Sequence, residues 1–391
     1  MQTFNVGLDA ARTILRDRFG HARFRVHQLK VLGPLLAGRN VLAVLPTGAG
    51  KSLCYQVPAL LGAGLTLVVS PLISLMQDQV GALRRLGIAA AYVNSQLDAG
   101  QRRVILDAAT AGRLVLLYCA PERLGSLTRR LSAAGTRVAL LAIDEAHCIT
   151  EWGNEFRPVY RRLGVFRSLL GRPPTIALTG TATPAARADI LHVLRMADAE
   201  VVVTSFDRPN LHFGVRRVRD DRERFALIRQ RVRDADGASL IYAPTRRLTE
   251  LITRALLRAS VRAAPYHAGL SASIRRRVLR GFLADQVHVI VATSAFGMGI
   301  DKPDVRLVLH WGPPPTLEAY YQEAGRAGRD GRRAACVMLW RPGDLTWGNC
   351  SPAMRRYVEA RACRRRLLLA YFGEPAARCS GCDRCGMNRA P

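Results

Sequence analysis

Val41-Leu42-Ala43-Val44-Leu45 runs directly into Pro46-Thr47-Gly48-Ala49-Gly50-Lys51-Ser52. A short unbroken apolar run is the pattern of a strand buried on both faces. Gly48 and Gly50 let the chain turn tightly behind it, so that backbone N–H groups can converge on phosphate oxygens. Lys51 can reach the β- and γ-phosphates, and Ser52 can ligate Mg²⁺. Thr47 and Ala49 complete the loop. The full GxxxxGK[ST] spacing needs glycine at 45, where the chain has Leu45. The loop alone therefore also suits a glycine-rich turn before a surface helix.

A second element decides between these. Ala139-Leu140-Leu141-Ala142-Ile143 is another buried-strand run, and it ends in Asp144-Glu145-Ala146-His147. At a strand's carboxyl end Asp144 can hold the Mg²⁺ shell, while Glu145 can take a proton from an attacking water. A carboxylate pair capping a helix would not be expected to follow a phosphate loop at this position, 93 residues after Lys51.

The remaining pattern extends this outward. From about 41 to 195, strand candidates at Leu65–Ser70, Arg113–Cys119, Val138–Asp144 and Thr175–Thr179 alternate with helical segments such as Leu72–Leu86 and Gln101–Ala111. Alternation predicts a parallel sheet with helices on both faces and ligands at the strands' carboxyl ends. Ser205–Asn210 is turn-rich and predicts a hinge. A second alternating segment follows, with strands at Ser239–Tyr242, Val287–Ala292 and Val305–Leu309 and helices at Leu248–Arg258 and Ser273–Leu283. From about 341 the chain becomes basic and cysteine-bearing.

The 391 residues carry a net charge of +28, and 55 of the 58 basic residues are arginine. That excess points to a polyanion such as nucleic acid, although a GC-rich genome also inflates arginine. No apolar run is long enough to cross a membrane, and the first twenty residues lack the apolar core of a secretory signal. Cys54, Cys119, Cys148 and Cys336 sit in or beside apolar runs and are expected to be buried thiols. Cys363, Cys379, Cys382 and Cys385 form C-x15-C-x2-C-x2-C, a spacing that suits tetrahedral Zn²⁺. A redox thiol cluster and unpaired tail cysteines are the alternatives. Residues 374–387 are too poor in apolar side chains to form a core unaided, so a metal would hold them together.

With these residues in hand, the chain resembles the RecQ family of DNA helicases from about residue 19 to 385. Phe24-Arg25 with Gln28 is similar to the family's adenine-reading motif. Val69–Met76, which includes Ser70 and Pro71, and Ala120–Leu124 are similar to segments that hold the DNA backbone. His147–Pro158 resembles the aromatic-rich loop that couples DNA binding to hydrolysis. There Trp152 and Phe156 offer faces for bases, ~1–3 kcal/mol per stacked base, and Arg157 offers charge. Leu178–Ala182 resembles the motif linking hydrolysis to movement. Tyr266–Leu270, with His267, and Ala292–Asp301 are similar to backbone- and nucleotide-contacting motifs. Tyr320–Gly331 carries Arg326 and Arg329, which the resemblance makes arginine fingers on the γ-phosphate.

The resemblance implies two RecA-like parallel-sheet domains in tandem (1–207 and 208–340) and a small helical zinc-binding subdomain (341–391). It implies ATP, Mg²⁺ and Zn²⁺ as cofactors and 3′-to-5′ unwinding of single-stranded, forked or tailed DNA in repair and recombination. It also implies a bacterial, cytoplasmic, nucleoid-associated protein without membrane contact. RecQ proteins commonly continue into a winged-helix domain, and the six residues after Cys385 are too few for one, so either a short family member or a truncated chain is expected. The expected alternative is therefore a DNA-stimulated ATPase, translocase or annealing factor that unwinds weakly. A zinc-stabilised DNA-binding scaffold with a dead ATP site and an RNA helicase are further alternatives.

Overall fold

The computed structural model describes residues 7–46, 48–151, 158–297, 302–346, 350–375 and 378–385. The chain divides into two compact units, Met1–Ser205 and Phe206–Pro391.

The first unit is built on a seven-stranded sheet. Its strands are β1 (Val41–Val44), β2 (Leu65–Val69), β3 (Ala90–Val93), β4 (Leu116–Cys119), β5 (Val138–Ile143), β6 (Thr175–Thr179) and β7 (Glu200–Val203). They lie in the order β3-β4-β2-β5-β6-β1-β7, and every pair is parallel. Every residue of β1, β2, β4, β5 and β6 is buried, as expected of a sheet covered on both faces. The order sets β6 between β5 and β1, so three carboxyl ends that carry motif residues are neighbours. The N-terminal helix Leu8–Phe19 packs Ala11 and Leu15 against Leu32 and Leu36 of the helix Val26–Leu36 and Val57 of the helix Leu53–Leu61. That small core fixes the start of Val26–Leu36 beside the phosphate loop.

The second unit has a six-stranded sheet: β8 (Leu211–Arg217), β9 (Ala238–Tyr242), β10 (Ala263–Tyr266), β11 (Val289–Ala292), β12 (Val305–His310) and β13 (Ala334–Trp340). Its order is β10-β11-β9-β12-β13-β8, again parallel throughout. The core joins Ile241, Val291, Leu309 and Val337 to Ile228, Ile252 and Leu256 on the covering helices. The turn-rich segment 206–210 is tied into this unit. Phe206 stacks on Phe372 at 4.5 Å and its N–H donates to Glu374 at 2.6 Å.

The tail is helical, with Pro352–Glu359 and Arg364–Tyr371, and ends in a cysteine-bearing loop. β8 is an edge strand, and this loop covers it. Phe213 bridges Cys382 in parallel, donates to the Gly381 carbonyl at 3.4 Å and accepts from the Asp383 N–H at 3.0 Å. Covering an edge in this way removes a template for unwanted pairing. Among the described residues, no helix is long and apolar enough to cross a membrane.

Candidate nucleotide, nucleic-acid and zinc sites

In the first unit the phosphate loop is held by its carbonyls. Arg25 donates to the Gly48 carbonyl at 2.6 Å, the His27 ring meets that of Ala49 at 2.9 Å, and Gln28 donates to that of Gly50 at 3.0 Å. Lys51 turns back to the Leu45 carbonyl at 3.3 Å. Gln28 is itself fixed, because its Oε1 accepts from the Arg25 N–H at 2.8 Å. Gly50 has φ +74°, and a Cβ there would lie 2.5 Å from Gln28 Nε2, so no side chain fits. Among the described residues, no acceptor takes the N–H groups of Gly50, Lys51 or Ser52. Such N–H groups beside a lysine form a nest for an anion, which a triphosphate fits.

At the end of β5, Asp144 is buried. Burial first, then the Glu145 charge, push its carboxyl up to about 7, against the pull of Lys51 and the Glu145 N–H. An oxygen ligand so starved of solvent, with the Ser52 hydroxyl available, suits a hard divalent cation. Glu145 has φ 49°, a strained conformation for a non-glycine residue. Its carboxylate lies 3.3 Å from His147 Nδ1. That nitrogen also meets Thr179 Oγ1 at 3.0 Å. Because the Thr179 hydroxyl donates to the Thr181 carbonyl at 3.0 Å, it accepts from His147, which places the ring proton on Nδ1. Glu145, half-buried, and the buried His147 and end of β6 thus form one polar chain.

In the second unit Arg326 is buried, and its Nε and Nη1 have no partner among the described residues. Two unpartnered donors on a buried guanidinium are costly, so the position suits an anionic ligand. Arg329 is half-buried, and both arginines act on the Tyr242 hydroxyl. Arg208 holds their loop through the carbonyls of Gly325 at 3.2 Å and of Ala327 and Gly328 at 2.9 Å.

The sulfurs of Cys363, Cys379, Cys382 and Cys385 all lie within 4.8 Å of one another. Cys363 and Cys382 are 3.9 Å apart. Zn–S bonds of ~2.3 Å in a tetrahedron put sulfurs at about this spacing, so the cluster fits Zn²⁺. Cys363 caps the helix Arg364–Tyr371. Arg364 is fully buried and donates to Asp383 at 3.1 Å. Cys54, Cys119, Cys148 and Cys336 are buried, as expected, and burial raises the Cys54 and Cys336 thiols to about 12.

The nucleic-acid candidates are less uniform. Ser70 and Pro71 are buried, and the Ser70 N–H donates to the Cys119 carbonyl. His267 is buried with its ring 3.3 Å from Glu250. Thr47, Trp152, Phe156, Arg157 and Asp301 lie outside the described residues. Sequence reasoning missed His27, Arg208 and Asp383. Proximity to Gln28 and to the cysteines was the available signal for the first and last, whereas Arg208 lay in a turn read only as a hinge.

Two parallel-sheet units in tandem, a phosphate loop facing an Asp-Glu-Ala-His strand end, and a four-cysteine tail define a RecA-like protein of the helicase type. Residues 25–190 match the DEAD/DEAH box helicase family, 223–331 the helicase conserved C-terminal domain and 350–386 the RecQ zinc-binding family. The chain is 41% identical to the ATP-dependent DNA helicase RecQ of Bacillus subtilis, over 98% of this chain and 68% of that protein. It is 41% identical to that of Pasteurella multocida, over 96% of this chain and 62% of that protein. The fold matches Saccharomyces cerevisiae Dbp5 bound to RNA and ADP BeF3 with a TM-score of 0.70 at 15% identity, covering 95% of this chain and 93% of that one. The chain belongs to the RecQ family. It spans 62 to 68% of the length of these RecQ relatives.

Proposed function

We propose that the chain is an ATP-dependent DNA helicase that moves 3′ to 5′ on single strands and opens forked or tailed duplex in repair and recombination, in the bacterial cytoplasm at the nucleoid. The observation that carries this is the convergence of the Lys51 loop, Asp144-Glu145 and the His147–Thr179 contact at adjacent strand ends. In this assignment Arg25 and Gln28 read adenine. The N–H groups of the loop from Thr47 and Gly48 through Ala49 and Gly50 to Ser52 cradle the phosphates, and Lys51 neutralises them. Ser52 and Asp144 hold Mg²⁺, which supplies positive charge against the phosphate oxygens. Glu145 orients the attacking water and takes its proton as oxygen bonds to the γ-phosphorus and the bond to ADP breaks.

His147 fixes the Glu145 carboxylate and links it to β6. Arg326 and Arg329 stabilise charge developing on the γ-phosphate, with Asp301 near the nucleotide. Trp152, Phe156 and Arg157 contact DNA, with Ser70, Pro71 and His267 on its backbone path. The four cysteines hold Zn²⁺ for the fold of the tail.

The test is strand displacement on a duplex with a 3′ single-stranded tail, with and without ATP. Displacement that needs ATP and vanishes in Lys51→Ala and Glu145→Gln supports the assignment. ATP turnover surviving either substitution refutes the site, and displacement only from a 5′ tail refutes the polarity.

A further inference from the structure

A cavity of about 350 Å³ opens at the amino-terminal edge of β8, β12 and β13, where the cysteine loop and the end of the helix Asp221–Asp234 close over it. In this unit Arg326 and Arg329 act on Tyr242 at the carboxyl end of β9, whereas the cavity is lined from the strand starts; it adjoins their loop through Asn210, which donates to the Gly328 carbonyl, but neither arginine lines it. Its volume is near the lower end of the ~300–1,000 Å³ usual for small-ligand sites, which suits one nucleotide unit.

The lining combines two chemistries. Leu211 and Leu307 give an apolar wall, while Arg231, Arg332 and Arg333 bring guanidiniums. These three arginines make no side-chain hydrogen bond or ion pair to any described residue. By contrast Arg306, also in the lining, is committed to Asp330 at 2.5 Å and to three carbonyls. Asp234 and Asp236 share the lining, so four guanidiniums face two carboxylates. His212 lines the cavity too, and its Nδ1 is sealed from solvent without a protein partner. A buried ring nitrogen with no partner wants a hydrogen-bonding ligand. Forked guanidiniums match phosphate oxygens in pairs, and the apolar wall matches a base or sugar rather than bare phosphate.

We propose that this cavity binds a nucleotide phosphate, with the phosphate on Arg231, Arg332 and Arg333 and the body of the nucleotide against Leu211 and Leu307. The ligand comes either from free nucleotide or from a nucleotide of a DNA strand.

The test uses the full zinc-loaded chain with ADP saturating the ATP site. Titration with dTMP, followed by calorimetry, should give one further nucleotide per chain. Arg332→Glu/Arg333→Glu should weaken it at least about tenfold and Arg231→Gln severalfold, since charge-assisted bonds are lost. Arg247→Glu, an exposed arginine elsewhere on the same unit, should leave it unchanged. The substituted arginines are surface or half-buried, and unchanged melting curves verify folding. If the same substitutions weaken oligo-dT binding and dTMP competes with it, the strand is the source. If oligo-dT affinity holds while dTMP affinity falls, the source is free nucleotide. Absence of dTMP binding, equal loss in Arg247→Glu, or saturation by an acidic peptide but not by dTMP overturns the proposal.

Discussion

Asp383 sits inside the cysteine loop and is the carboxylate that neutralises Arg364. The guanidinium is fully buried and reaches Asp383 through Nε at 3.1 Å and Nη2 at 3.5 Å. Asp383 also accepts from the Val215 N–H at 3.3 Å, anchoring the loop to β8. In Asp383→Ala the guanidinium keeps the Tyr357 and Val358 carbonyls and the Tyr357 ring at 5.6 Å, yet none of these carries a full negative charge. Removing one partner of a buried pair costs ~3–5 kcal/mol. The Asp383 side chain is 24% exposed, so water relieves part of this and the lower end applies. With the lost Val215 bond at ~1 kcal/mol, the expected destabilisation is about 3–4 kcal/mol. At roughly 2–4 °C per kcal/mol, melting falls by roughly 6–16 °C.

Urea unfolding of zinc-loaded protein, read by intrinsic fluorescence and by zinc release to a chromogenic chelator, measures it. Asp9→Ala breaks the exposed Arg12–Asp9 pair and should cost under about 1 kcal/mol. Arg364→Met/Asp383→Leu, which removes both charges, should recover much of the loss. A cost for Asp383→Ala no larger than that for Asp9→Ala, or a double variant no more stable than the single, would refute the reasoning.

Gly50→Ala forces a left-handed backbone on alanine, about 1–2 kcal/mol, and displaces Gln28. It should raise the KM for ATP about tenfold or more while the melting of the second unit is unchanged. Burial, then the Glu145 charge, push the Asp144 carboxyl up from an ordinary 3.8 to about 7, so across that window the folded chain keeps a proton that the unfolded chain has lost. Stability of the first unit, measured without nucleotide and with chelator, should therefore fall as pH rises across that window; a rise would contradict the burial of this carboxyl. Zinc removal should release one ion per chain and loosen the cover over β8. The expected signs are a lower melting point and concentration-dependent aggregation, and a chelated protein that melts unchanged would show the loop holding without metal.

Much of this was legible because the motifs sit where buried strands end. Runs such as Val41–Val44 and Val138–Ile143 are apolar throughout, which a sheet covered on both faces demands. Strands with weaker patterns escaped. Glu200–Val203 is an edge strand with three exposed residues, and Ala263–Tyr266 is only half-buried and contains Pro265, so neither shows a period. Ser70 and Pro71 follow the fully buried strand Leu65–Val69, and no local pattern marks them out; only the family resemblance points to a DNA path for them. Spacing identified the four cysteines, but not that their loop would pair with β8. That bridge joins residues 169 positions apart, Phe213 to Cys382, and no local pattern encodes it.

Charge was the least legible feature, for a physical reason. The tail from 341 to 391 carries ten arginines against four acidic residues, which suggests a polyanion-binding surface. Two of those arginines are structural. Arg364 is spent on Asp383 and the helix carbonyls, and Arg365 on Asp207 and the carbonyls of Arg208 and Leu211. Elsewhere Arg224 is buried against Trp311 at 5.0 Å and Asp344 at 2.5 Å, and Arg167 bonds Thr175, Asn40 and the Arg195 carbonyl. A guanidinium has five donors and a flat, weakly hydrated face, so it can serve as a hydrogen-bonding core residue where an ammonium would stay in water. In a chain with three lysines, arginine fills both roles, and a count of charges overstates the field felt by a polyanion. Attraction to a polyanion should therefore track the exposed, unpaired guanidiniums rather than the net +28, and the slope of DNA affinity against salt measures that number.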